Sequence, residues 1–175
     1  HVFDHSVDYT ERFTASASAE VDATQGNLSG TISIVNNNPT LGSFDVVISN
    51  VKAPNGVETV SVPIWSEING QDDIIWYTAN RQNNGTYTVN VKASAHKNST
   101  GLYNVHLYYV QKDGQLTGVG GTTTQVFIGK TSEQLKPKVS FAIENNNAKN
   151  GTFDAVITNI TAPLGVKEVL VPTWS

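Results

Sequence analysis

The chain has 175 residues and a net charge of −4, with only 15% of its residues charged, so no basic stripe exists to meet phosphates and nucleic-acid or anionic-membrane partners are disfavoured. It contains no cysteine, which excludes thiol catalysis, disulfides and Cys-bound zinc within this segment, and no apolar run approaches the roughly 20 residues of a membrane span. The absence of methionine is what an internal fragment of a longer chain is expected to show.

In chain order, residues 1–27 read as a polar lead-in or linker. Asp4 and His5 are expected to be solvated there, and Thr14 to Val21 alternates small residues as a linker or weak edge strand. From Leu28 the texture changes. Gly30 to Val35 forms a first strand, and Asn36 to Gly42 a turn-rich loop. Phe44, Val46 and Ile48 alternate with Asp45, Val47 and Ser49, the period-two spacing of a strand with one face in a core. Val57 to Trp65 is the third strand and Ile74 to Ala79 the fourth. Gln82 to Gly85 turns the chain into an alternating run from Tyr87 to Ala93. After the loop His96 to Gly101 comes the most aromatic strand, Leu102 to Val110, then an Asp113-Gly114 hairpin turn. An irregular last strand runs from Leu116 to Phe127, and Gly118, Gly120 and Gly121 mark a bulge or close approach in it.

Thr31 to Ser66 then recurs without a gap 109 positions later, at Ser140 to Ser175, with 19 of 36 positions identical. Chance gives roughly two or three matches at ordinary residue frequencies. A period of this length suits a domain rather than a solenoid unit. The organisation is therefore a lead-in at 1–27, a complete repeat at 28–127, a linker at 128–138 and a truncated second repeat at 139–175. The second copy holds counterparts of the first three strands only, and its Phe153, Ala155, Ile157, Val169 and Val171 are expected to face water.

No segment shows helical periodicity, and seven short strands with regular turn signals imply an all-β fold, an immunoglobulin-like antiparallel β-sandwich without a disulfide. Gly101-Leu102-Tyr103 opens the penultimate strand as a tyrosine corner does, with Val105 where such domains often place a cysteine. Phe44, Trp65, Tyr103 and Val105 are the expected structural core. Strict alternation puts Trp65 on the outer face, so its inward placement requires a bulge near Pro63.

Three runs carry a resemblance: Val62 to Glu67, Gly70 to Tyr77, and His96 to Tyr109. Together they resemble the group B streptococcal secreted protein Bsp-like repeat, over Leu28 to Val126 and the first third of another copy. The resemblance implies a module that occurs in tandem on exported streptococcal proteins, beside a murein hydrolase domain that it holds on the cell wall. The implied localisation is secreted and wall-associated.

For catalysis the candidates are His96, His106, Glu67, Asp72 and Asp73, but no His-x-His or His-Glu-x-x-His motif preloads a metal. Glu67, Asp72 and Asp73 are expected to solvate a loop and cap a turn; a calcium site built from them is the alternative. No catalytic residue, metal or cofactor is expected. For binding, Tyr103, Val105, Leu107 and Tyr109 should point inward, leaving Asn104, His106 and Tyr108 outward. That trio is either a platform for a sugar ring or short peptide, or plain decoration of a sheet. Trp76 and Tyr77 point to opposite faces, one core and one available, and His96 completes the candidate set. The expected partner is a bacterial cell-wall polymer; the competing expectation is a spacer or adhesion stalk that binds nothing.

Overall fold

The computed structural model describes residues 28–174 and the backbone pairing of Ala19–Glu20. The rest of the 1–27 lead-in, with Asp4 and His5, lies outside the described residues. Two compact units divide between Lys130 and Thr131. Among the described residues there is no α-helix, and all the sheets are antiparallel.

In the first unit the strands are β1 (Ala19–Glu20), β2 (Ser29–Asn38), β3 (Ser43–Lys52), β4 (Val57–Ser66), β5 (Ile75–Thr78), β6 (Asn80–Arg81), β7 (Tyr87–Lys92), β8 (Gly101–Gln111) and β9 (Leu116–Val126). They form one sheet in the order β1-β2-β3-β7-β6 and another in the order β5-β4-β8-β9. The chain changes sheets at buried Ala79, between β5 and β6. Inward side chains of both sheets share one core: Ile32, Phe44 and Ile48 from the first, Val62, Ile64 and Leu107 from the second. This arrangement agrees with an immunoglobulin-like sandwich.

β8 shows why alternation positions a surface. Tyr103, Val105, Leu107 and Tyr109 are fully buried. Each such side chain contributes about 1.5–3 kcal/mol relative to exposure, so a one-residue slip of register is excluded and the intervening side chains are fixed on the outer face. Tyr103 also donates its hydroxyl to the carbonyl of Ser99 at 2.9 Å, the tyrosine-corner bond. Tyr109 donates to the carbonyl of Ser29 at 2.8 Å, tying the second sheet to the first.

The register corrects the expectation for Trp65. From Ser61 opposite Tyr108 to Ser66 opposite Tyr103 it runs without a shift, so there is no bulge near Pro63. The paired positions on β8 skip Val62 and Pro63, as a residue without an N–H requires, yet the strand does not turn. Trp65 is 9% exposed, but it lies opposite Asn104 on the outer face and is absent from the inter-sheet cluster. Neighbouring rings on that face, not the sandwich interior, bury it. The bulge at the β9 glycines is present: register shifts by one between Leu107–Gly120 and Tyr108–Gly118, leaving Val119 as the extra residue.

The second unit contains a hairpin of β10 (Lys138–Asn147) and β11 (Thr152–Thr161). It reproduces β2-β3 in detail, including the positive-φ residues Asn145 and Asn159 where the first copy has Asn36 and Asn50. Asn145 Nδ2 donates to Asp154 at 2.6 Å, as Asn36 does to Asp45 at 2.7 Å. A third strand was expected between Val166 and Trp174; none forms. Its counterpart, β4, is an interior strand of the other sheet, paired on both sides by β5 and β8, and the second copy offers neither partner among the described residues. Phe153 is accordingly 49% exposed, against 2% for Phe44.

Candidate functional site

The outward face of β5-β4-β8-β9 gathers most of the candidate residues. Asn104, His106 and Tyr108 lie there on β8, opposite Trp65 and Ser61 of β4. Trp76 of β5 pairs with Pro63 and so shares this face, whereas Tyr77 pairs with Val62 and turns inward. Trp76 and Tyr108 reach across the intervening strand until their ring centroids are 5.2 Å apart at 56°. Trp76 is 50% exposed and Tyr108 half-buried. Beside them, His106 meets Trp65 edge-on, with centroids 4.7 Å apart.

The β9 bulge makes room for these rings. A Cβ on Gly121 would fall 2.8 Å from His106 Cδ2, and one on Gly118 would fall 3.3 Å from Tyr108 Cε1. Only residues without a side chain let the outward rings of β8 lie over β9. Burial pushes the His106 imidazole below its ordinary pKa and keeps it neutral near pH 7. Asn104 is on the same face, but its Nδ2 is enclosed and donates to no protein group.

The other candidates belong to the interior. His96, expected in an accessible loop, is fully buried. Its Nδ1 lies 3.0 Å from the carbonyl of Asp73 and its Nε2 2.8 Å from the Tyr77 hydroxyl. A carbonyl can only accept, so Nδ1 donates to it and Nε2 accepts from Tyr77. Burial holds the His96 pKa low, against the opposing influence of the Asp73 carbonyl and carboxylate. Asp73 was expected to be solvated with Glu67 and Asp72. It is instead buried, accepting from the Ser66 backbone N–H at 2.9 Å and the Ser66 hydroxyl at 2.6 Å. Asp72 remains outside and pairs with Lys97 at 2.8 Å. Burial, followed by the nearby Asp73 charge, pushes the Tyr103 hydroxyl up to about 12. His96 is thus enclosed in a packed polar network, and the partly buried Tyr77 is tied to it through its hydroxyl.

The imidazole with a buried acidic neighbour holds no nucleophile towards solvent, and His106 stands among rings. Among the described residues, no group of three or more His, Asp or Glu converges on a metal position. A shallow groove of about 510 Å³ opens at one end of β4 and β5, lined by Glu58, Thr78, Arg81, Tyr87 and Lys112 among others.

Comparison with solved structures finds a polysaccharide deacetylase from Bacillus cereus, 14% identical with a TM-score of 0.48. It also finds a Bacillus anthracis protein described as one, 11% identical with a TM-score of 0.48. Each match covers 55% of this chain and 29% of the other. No curated protein matches the sequence. The family model of the GBS Bsp-like repeat matches residues 33–124, more than half of the chain, which therefore belongs to that family.

Proposed function

We propose that the first repeat is a non-catalytic module that binds a bacterial cell-wall polymer, peptidoglycan or a wall glycan, through the outward face of β5-β4-β8-β9. The observation that carries this reading is the Trp76–Tyr108 pair: two aromatic rings in contact, one of them half exposed, held on a rigid sheet by fully buried neighbours. Burying such a ring against a sugar face gains apolar contact at little cost in side-chain freedom. Membership of the Bsp-like repeat family supports the wall as the target. In this reading the chain is secreted and wall-associated, and it serves to hold an attached murein hydrolase at its substrate.

Sedimentation with isolated streptococcal walls tests the proposal. The 175-residue chain should pellet with the walls, and wall turbidity should stay constant. Micromolar protein left in the supernatant would favour a spacer or stalk, and clearing of the walls would mean a hydrolase.

A further inference from the structure

Resting on that wall-binding reading, we infer that the ligand of this face is an uncharged glycan, recognised by its sugar rings, rather than the phosphate-bearing polymers or charged stem peptides of the wall. The argument is one of charge. From Thr59 to Ser66, from Ile75 to Thr78, and along the whole of β8 and β9 there is no Asp, Glu, Lys or Arg. The nearest charges sit at one end of the sheet, where Glu58 of β4, Arg81 and Lys112 line the groove that Thr78 borders, and the other sheet carries Asp45, Lys52 and Lys92. A polyanion held by phosphate contacts needs Lys or Arg donors, and a carboxylate-bearing peptide needs a cation or a cluster of free N–H groups. The strand positions around Trp76 and Tyr108 offer neither. What it offers is the half-exposed indole of Trp76 against Tyr108, with the hydroxyl-bearing Ser61 and Thr78 beside them in register. Those groups suit a ring that stacks through its C–H face and exchanges neutral hydrogen bonds through its hydroxyl or acetamido groups. His106 adds no charge near neutrality, because burial lowers its pKa.

The test uses the full chain with two wall preparations: intact walls, and walls stripped of phosphate polymers with hydrofluoric acid. Retention is measured between about 0.05 and 0.5 M NaCl, a range over which the Debye length falls severalfold. A titration with a soluble hexamer of β-1,4-linked N-acetylglucosamine accompanies it. Retention should be the same on both walls and flat with salt, the hexamer should bind, and Trp76→Ala should weaken both interactions by about tenfold, the size of one lost ring stack. Retention on intact walls that disappears on stripping, or that falls steeply with salt, overturns the neutral-glycan inference and leaves wall binding standing. Failure to bind either wall overturns both.

Discussion

Tyr103 and Tyr108 sit five positions apart on β8 and have opposite surroundings. Tyr108 lies outward against Trp76, so Tyr108→Ala should reduce wall retention while moving the thermal midpoint by only a few degrees, as surface changes of under about 1 kcal/mol do. Tyr103 is fully buried, packs edge-on against Phe44 at 6.0 Å and donates to Ser99, so Tyr103→Ala should cost roughly 3 kcal/mol or more. Chemical denaturation of the two variants separates them; equal losses would reverse the face assignment. His96 brings a pH dependence with a definite sign. Its folded pKa lies below the ordinary 6.5, so the unfolded chain takes up the proton first as the solution is acidified. Its contribution is intact above about pH 6.5 and is lost as pH falls from there through the lower folded value. Partly buried His106 acts in the same direction. Unfolding free energy should therefore decline as pH falls below about 6.5, and His96→Gln should flatten that decline; an unchanged slope would remove His96 as its source.

Among the strands, β9 is where a single methyl group discriminates best. Gly121→Ala places a Cβ 2.8 Å from His106 Cδ2, and that imidazole is already held against Trp65. The expected loss is about 1–3 kcal/mol, whereas Gly118→Ala, with 3.3 Å to Tyr108, should be tolerated better; thermal unfolding of the pair checks the order. Alternation in β8 was legible from the sequence because Tyr103, Val105, Leu107 and Tyr109 fall at every second position with Asn104 and His106 between them, and the glycines of β9 announced their bulge. The inward turn of Trp65 was a misreading. An aromatic residue retained in both copies suggests a core anchor, but β4 keeps its register through Pro63, and Trp65 is buried by its neighbours on the outer face. The Ser66–Asp73–His96–Tyr77 network was not legible, since its members are separated by 7 to 23 positions and meet only when loop and strands are assembled. A loop histidine among polar residues looks solvated until the Asp73 carbonyl and the Tyr77 hydroxyl enclose it.

At the scale of the whole chain, the two copies share a sequence pattern and differ in cover. The β2-β3 hairpin is one face of a sandwich, while β10-β11 repeats its bulges and Asn–Asp bonds with Phe141, Ile143 and Phe153 exposed. Two strands without a covering layer are marginal in water. Hydrogen exchange should therefore show amides of Phe153 to Ile157 opening at a much lower free energy than Val89 and Val91, and a shortened chain ending at Lys130 should retain the protection of β7. Equal protection of both segments would make the hairpin self-sufficient. The binding claim belongs to the first unit alone and turns on where a sugar lands. The most direct measurement is an NMR titration of the isotopically labelled chain with soluble neutral wall glycan. The predicted result is that saturating shifts cluster on Trp76, Tyr108, His106 and Ser61, including the Trp76 indole N–H, with the groove around Arg81 and Lys112 undisturbed; shifts centred on that groove, or none on the β5-β4-β8-β9 face, would contradict it.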